Sequence, residues 1–221
     1  MNVEKSKLKV KGIILDLDGT IVDSKEVYVE AAKAAFAAIG QERVDIKIAM
    51  EIPRRLEQNL SINNMIKGID IRKFLDAYLK SYYEMTATKT KLMPNASETL
   101  KKLSRKAKLA LVTMRHVPKE EVVLELGKFG LAKYFRLIIT ASDTYYPKPS
   151  PEALLRCAKQ LGIHASECAV VGDSVADVRA GRNVGAKTVA VLSGIFTKEE
   201  LETEKPDLIL ESINELPDFL E

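Results

Sequence analysis

Two pairs of aspartates, each following a short apolar run, are the residues of this sequence most suited to chemistry. The segment DLDGT contains Asp16 and Asp18, and the segment GDSVAD contains Asp173 and Asp177. Side chains alternate along an extended backbone, so the carboxylates of Asp16 and Asp18 are predicted to point to the same side. For either pair alone, capping of a turn or helix is an equally good explanation. Together, the two pairs favour a functional site.

Four carboxylates in one crevice would need a positively charged partner. If the two apolar runs form neighbouring parallel strands, both pairs lie beyond the carboxyl ends of those strands, where open parallel sheets bind their ligands. Close carboxylates repel one another, and without a cation at least one of them would take up a proton. A hard divalent cation with oxygen ligands relieves this repulsion, and we expect Mg²⁺.

Short apolar runs alternate along the chain with segments of helical spacing. Continuous apolar runs are typical of parallel strands that are buried on both faces. The alternation predicts an α/β fold with a doubly wound, Rossmann-like parallel sheet, its first strand central, the second and third on one side, and the fourth and fifth on the other. Strands are predicted at residues 10–15, 109–112, 137–139, 169–171, 188–191 and 208–210, and helices at residues 94–106, 119–129, 151–161 and 175–184.

One long interval between the first two strands has no convincing strand pattern. Apolar residues recur there at helical spacing over residues 25–39 and 71–85, which predicts two or more packed helices. We therefore predict a core domain formed by residues 1–22 and 93–221, and an inserted helical cap domain formed by residues 23–92.

The order of the motifs resembles that of the haloacid-dehalogenase superfamily. Phosphatases of this superfamily carry DxDGT after the first strand, Thr or Ser after the second, then a Lys, and finally an acidic pair. Here these motifs read DLDGT, LVTMR around Thr113, KPSP beginning at Lys148, and GDSVAD. The insertion directly after the first motif resembles the helical cap of the phosphoglycolate-phosphatase-like subfamily. The resemblance covers residues 12–194.

The resemblance implies a role for each matching residue. Asp16 would be the nucleophile, while Asp18 would protonate the leaving oxygen and later accept a proton from the hydrolytic water. Thr113 and Lys148 would bind and neutralise the phosphoryl oxygens. On their own, a Thr at a strand end and a Lys before proline are more often structural and solvated residues. The implied metal-site residues are Asp16, Asp18 through its backbone carbonyl, Asp173, and Asp177, which would orient a bound water or Lys148.

Four residues near these motifs are candidates for substrate binding: Gly19, Thr20, Met114 and Arg115. Many relatives carry Asn at the place of Met114, so an amide contact is absent and inference of the substrate from close relatives is weakened. Arg115 lies at the expected mouth of the site, although loop residues of this kind are more often exposed to solvent.

Two arginines of the insertion are candidates for binding the substrate. Arg54 and Arg55 follow Pro53 at an expected helix start, and would meet a second anionic group such as a carboxylate. The competing interpretation is a solvated basic face. In the core, Tyr145 and Tyr146 are expected to pack against the sheet rather than to line the crevice.

Composition narrows the class of protein. Hydrophobic residues form 46% and charged residues 29% of the 221-residue chain, values near those of ordinary globular proteins. The net charge of +3 comes from scattered basic residues, so we expect no nucleic-acid partner. The sequence has no long apolar run, which predicts no membrane partner and a cytoplasmic location. We expect a monomer or a homodimer.

The motifs and the resemblance together predict a magnesium-dependent phosphatase. It would hydrolyse a small phosphorylated metabolite, with phosphoglycolate or a sugar phosphate as the first substrates to consider. Three alternatives stay open: a phosphomutase of the β-phosphoglucomutase type, an inorganic pyrophosphatase, and a non-catalytic protein that binds phosphorylated ligands.

Overall fold

The structure, a computed structural model, describes residues 7–41, 43–58, 60–66 and 70–221. The chain divides into two compact units. One comprises the residues up to Ile21 together with Leu92–Glu221, and the other comprises Val22–Lys91. The first unit contains both ends of the described chain, so the second is an insertion in sequence.

In the described part of the first unit, six parallel strands form the sheet. The order across the sheet is β5 (Phe135–Ile139), β4 (Lys108–Val112), β1 (Gly12–Leu15), β6 (Cys168–Gly172), β7 (Lys187–Val191) and β8 (Leu208–Leu210). Strand β1 is hydrogen-bonded to β4 on one side and to β6 on the other. The predicted doubly wound α/β fold is therefore confirmed, including the central place of the first strand. Two short strands, β2 (Val22–Asp23) and β3 (Lys91–Leu92), pair separately.

Helices connect the strands and bury the sheet. The residues of β1 and β6 are all buried, as continuous apolar sequences predict for strands covered on both faces. On one face, Ile14 and Val170 pack with Leu154 and Cys157 of α6 (Glu152–Leu161) in one apolar cluster. The helices of this unit are α4 (Ala96–Lys106), α5 (Lys119–Lys128), α6 (Glu152–Leu161), α7 (Val175–Asn183) and α8 (Lys198–Thr203).

The described residues of the second unit form three helices: α1 (Lys25–Ala38), α2 (Ile46–Glu57) and α3 (Ile71–Lys89). Aromatic contacts join α1 to α3. The Tyr28 and Tyr82 rings stack with centroids 5.6 Å apart, and Phe36 meets Phe74 edge to face at 4.9 Å. The small side chains along the buried face of α1 allow these rings to approach, because alanines leave room beside them. Among the described residues, no helix is long and apolar enough to cross a membrane.

The expected helix start after Pro53 is wrong. Helix α2 begins at Ile46 because the Asp45 side chain accepts a hydrogen bond from the Lys47 backbone N–H, so Pro53 lies inside the helix. Arg54 and Arg55 consequently occupy its last turn, where cations are favoured by the helix dipole.

Candidate active site

Three strand ends bring the predicted motifs together. Strand β1 pairs in parallel with β4 and with β6, so the carboxyl ends of β4 and β6 lie on either side of the carboxyl end of β1. The Asp16 backbone N–H donates to the Val171 carbonyl at 2.9 Å, and the Thr113 N–H donates to the Ile139 carbonyl at 3.0 Å. The first residue beyond β1 and the first beyond β4 are thus still held by the sheet, which fixes the direction of their side chains.

The acidic trio, Asp16, Asp173 and Asp177, occupies this edge of the sheet. One carboxylate oxygen from each residue lies within 4.8 Å of the others, and all three residues are buried. Asp177 reaches the trio from the first turn of α7. Its Oδ2 accepts hydrogen bonds from the Ser174 hydroxyl at 2.6 Å and the Ser174 backbone N–H at 3.2 Å. This capping box leaves Oδ1 of Asp177 facing the other members.

Lys148 joins two members of the acidic trio. Its Nζ donates to Asp16 Oδ1 at 2.6 Å, to Asp177 Oδ1 at 2.5 Å, and to the Val112 carbonyl at 3.0 Å. The side chain is 2% exposed, so the interpretation of a solvated lysine before proline is wrong. Burial lowers the pKa of Lys148, but attraction to Asp16 and Asp177 outweighs this and holds the pKa above its ordinary value.

The charges of this cluster do not balance. Burial is the largest influence on Asp16 and raises its pKa to about 7, although Lys148 opposes the shift and Asp177 adds to it. Burial, with repulsion from Asp16 and Asp177, also raises the pKa of Asp173 well above its ordinary value. A single ammonium therefore leaves carboxylate charge uncompensated. A buried set of carboxylate oxygens of this kind could hold a hard divalent cation.

Glycines make room for the acidic trio. A Cβ on Gly194 would overlap the Asp173 carboxylate, and one on Gly19, whose φ is +75°, would lie 2.5 Å from Asp173 Oδ2. Thr20 is fully buried, and its hydroxyl donates to Asp173 Oδ1 at 3.4 Å. The structure therefore places Gly19 and Thr20, two predicted substrate-binding residues, against the aspartate of the last motif.

Asp18 is the predicted metal-site residue whose carboxylate does not join the trio. Arg115 Nε donates to its Oδ2 and Arg115 Nη2 donates to its Oδ1, both at 2.7 Å. The other edge of the guanidinium faces Glu125: Nη1 donates to Oε2 in a short contact, and Nη2 lies 3.5 Å from Oε1. We call Asp18, Arg115 and Glu125 the arginine clamp.

The expectation that Arg115 is exposed to solvent is wrong. It is 4% exposed because carboxylates meet both edges of its guanidinium. Its backbone is also fixed, since its N–H donates to Thr113 Oγ1 at 3.3 Å and its carbonyl accepts from the Ala141 N–H at 3.0 Å. Met114, which lies between Thr113 and Arg115 in the sequence, is partly exposed.

Glu125 is a site residue that sequence reasoning missed. It lies on the buried face of α5 with Val122 and Leu126, whereas Val123 and Leu124 on the same helix are exposed. A Glu three residues after a buried Val and directly before a buried Leu is at a core position of the helical pattern. That spacing was a usable signal, because Glu is almost never buried without a partner.

Two further expectations concern residues away from the trio. Tyr145 and Tyr146 do not pack against the sheet: they are 92% and 71% exposed, because their backbone N–H groups are held by the Glu152 carboxylate and their rings project outward. Arg54 and Arg55 belong to the second unit, where both pair with Glu51, at 3.2 Å and 2.9 Å. Their contact with a substrate stays a prediction.

Comparison with known proteins agrees with the motifs. Residues 13–191 match the profile of the family described as haloacid dehalogenase-like hydrolase. The phosphoglycolate phosphatase of Escherichia coli (strain K12) is 30% identical over 234 residues, covering 94% of this chain and 91% of the relative. A provisional pyrophosphatase, PpaX, of Clostridium perfringens is 30% identical over 217 residues, covering 96% of this chain and 98% of the relative.

A solved structure shows the same fold. A haloacid dehalogenase-like family hydrolase of Streptococcus pneumoniae matches with a TM-score of 0.81 at 20% identity, covering 96% of this chain and 98% of that one. The resemblance inferred from the four motifs is confirmed by the family profile, and the chain belongs to the haloacid dehalogenase-like hydrolase family.

Proposed function

We propose that this protein is a magnesium-dependent phosphatase that hydrolyses a small phosphate monoester through an aspartyl phosphate on Asp16. The observation that carries the proposal is the buried Asp16 carboxylate, held by Lys148 at 2.6 Å inside the acidic trio. The name of the Escherichia coli relative, a phosphoglycolate phosphatase, supports the same reaction class.

The first step would be attack of an Asp16 oxygen on the phosphorus. A bond forms between that oxygen and phosphorus, the bond to the leaving oxygen breaks, and Asp18 gives the leaving oxygen a proton. Lys148 donates a hydrogen bond to Oδ1 of Asp16 and so fixes the orientation of the carboxylate. The Thr113 hydroxyl, whose oxygen already accepts from the Arg115 N–H, can donate its own proton to a phosphoryl oxygen.

The second step would be hydrolysis of the aspartyl phosphate. Water attacks the phosphorus and gives a proton to Asp18, and the electron pair of the broken bond returns to Asp16. Inorganic phosphate leaves, and Asp18 regains the proton that it gave up in the first step. The two steps therefore balance, with Asp18 serving as acid and then as base.

Magnesium would be held by the carboxylates of Asp16 and Asp173 together with the backbone carbonyl of Asp18. Both oxygens of Asp177 already accept hydrogen bonds, Oδ1 from Lys148 and Oδ2 from Ser174, which supports a role in orienting neighbours rather than in direct ligation. When bound, the ion supplies positive charge that neutralises the phosphoryl oxygens and the trio.

Phosphoglycolate is the substrate we propose first, because the Escherichia coli relative is named a phosphoglycolate phosphatase and aligns with this chain over most of both sequences. The carboxylate of phosphoglycolate is a second anionic group. Arg54 or Arg55 would bind it after breaking its ion pair with Glu51. Pyrophosphate is the second candidate, since the Clostridium perfringens relative has the same identity over nearly the whole chain.

The test is release of phosphate from phosphoglycolate, sugar phosphates and pyrophosphate, with Mg²⁺ and with a chelator. We expect turnover that needs Mg²⁺ and is abolished in Asp16→Asn. The control is Asp218→Asn, which makes the same chemical change at an exposed position and should retain activity. Activity that persists in Asp16→Asn would contradict the assignment of the nucleophile, and sugar phosphate that isomerises without phosphate release would indicate a mutase.

A further inference from the structure

The arginine clamp occupies a position where a substrate contact was predicted from the sequence. Both edges of the Arg115 guanidinium are engaged, one by Asp18 at 2.7 Å through two donors and the other by Glu125. A substrate anion could reach these donors only by displacing one of the two carboxylates. The geometry therefore favours an action of Arg115 on Asp18 over an action on the substrate.

We infer that Arg115, anchored by Glu125, is a positioning residue that holds Asp18 as the base for hydrolysis of the aspartyl phosphate. The inference rests on the proposed function, because it assigns Asp18 its role in the second step. Neither the motif of Asp18 nor that of Thr113 specifies Glu125, which comes from helix α5.

Hydrogen-bond geometry decides which of the two steps the clamp favours. Each carboxylate oxygen of Asp18 accepts a hydrogen bond from an Arg115 N–H. If Asp18 were protonated on the side facing Arg115, its O–H would clash with one of these N–H groups. The clamped form is thus the carboxylate, which can accept a proton from water. To donate a proton in the first step, Asp18 must give up one of the two bonds. Loss of the clamp should therefore slow the second step more than the first.

Glu125 makes the arrangement rigid. The arginine side chain is long and could turn its guanidinium in several directions, but Glu125 is 6% exposed on a helix whose neighbouring core residues fix its place. With Glu125 on one edge, the opposite edge must face Asp18. Arg rather than Lys is needed for this, because only the planar fork can meet a carboxylate on each of two edges.

The experiment compares the wild-type protein with Arg115→Met, Arg115→Lys, Glu125→Gln and the double variant Arg115→Met with Glu125→Gln. The substrate is p-nitrophenyl phosphate, whose leaving group departs without needing a proton. Rapid mixing in Mg²⁺ records the first turnover and the steady state. The control is Arg179→Gln, which removes a 2.7 Å ion pair to Glu204 outside the trio and the clamp.

In Arg115→Met we expect kcat to fall about a hundredfold, because a misplaced proton acceptor costs on that order. KM should fall with it and kcat/KM should stay near the wild-type value, because only the step after formation of the aspartyl phosphate is slowed. Nitrophenolate should appear in a burst that approaches one equivalent of enzyme, since the aspartyl phosphate forms and is then hydrolysed slowly. Arg115→Lys should show a smaller burst. Glu125→Gln should act in the same direction as Arg115→Met and add no further loss in the double variant. Arg179→Gln should behave as wild type.

Three results would overturn the inference: an unchanged kcat in Arg115→Met, a raised KM without a burst, or losses from Arg115→Met and Glu125→Gln that add. Arg115→Met leaves Glu125 buried without its cation, so folding is checked by circular dichroism. If that variant does not fold, the double variant, which also neutralises Glu125, carries the same test. A wild-type protein that releases no nitrophenolate or phosphate would instead defeat the proposed function itself.

Discussion

The raised pKa of Asp16 makes the stability of the metal-free protein depend on pH, and Asp16→Asn should remove the part of that dependence that Asp16 contributes. An ordinary aspartate has a pKa of 3.8, whereas in the folded protein the value for Asp16 is about 7. The folded protein therefore binds this proton more tightly than the unfolded chain does. Stability linked to the proton is present below about pH 4 and is lost as the pH rises towards 7.

The magnitude follows from the size of the shift. A shift of about three pKa units corresponds to roughly 4 kcal/mol, of which roughly 2–3 kcal/mol is lost between pH 5 and pH 8. Asn at this position carries no charge at any pH, so the variant lacks this loss. In the presence of a chelator, we expect Asp16→Asn to gain free energy of unfolding relative to wild type by that amount on going from pH 5 to pH 8.

The assay is urea unfolding at both pH values in the presence of a chelator. The chain has no Trp, so unfolding is followed by far-ultraviolet circular dichroism. Asp218→Asn is the control and should follow wild type at both pH values. In Mg²⁺ at pH 8 the wild-type protein should be more stable than Asp16→Asn, because the ion stabilises only the protein that binds it. The reasoning is refuted if the difference between Asp16→Asn and wild type is the same at pH 5 and pH 8 with the chelator present.

Three other perturbations have defined outcomes. Lys148→Met should abolish phosphate release and lower the free energy of unfolding by about 3–5 kcal/mol, because it leaves buried carboxylates without their cation; both are measurable in the same preparations. Gly194→Ala should raise the Mg²⁺ concentration for half-maximal activity about tenfold or more by displacing Asp173, whereas Gly127→Ala, where a Cβ meets nothing within 4 Å, should leave it unchanged. Leu154→Ala, in the apolar cluster between α6 and the sheet, should lower the free energy of unfolding in urea by about 2–5 kcal/mol with kcat retained.

Much of the fold could be predicted because the relevant signals are local. Continuous apolar runs located all six strands of the main sheet, and the reversal of strand order around β1 follows from placing the first strand in the centre. The same rule predicted that Asp16 and Asp173 would lie at neighbouring strand ends. These inferences needed only the periodicity of the chain and the handedness of its crossovers.

The arginine clamp could not be predicted because it depends on contacts between distant segments. Arg115 is a loop cation in the sequence, and nothing near it indicates that Asp18, 97 residues away, would accept from it. Pro53 misled in the opposite way: a proline is a good helix-start signal, but the Asp45 side chain supplied a better one eight residues earlier. Local patterns therefore predicted the strands better than they predicted the partners of individual cations.

Asp177 links the site to the integrity of a single helical turn. The same carboxylate caps α7 through Ser174 and holds the Lys148 ammonium, so fraying of the first turn of α7 would release the lysine from one of its carboxylates. Fraying of one turn costs far less free energy than global unfolding. The fraction of molecules with a complete site is thus governed by this local opening equilibrium, and a variant with unchanged global stability can still differ in the amount of competent enzyme.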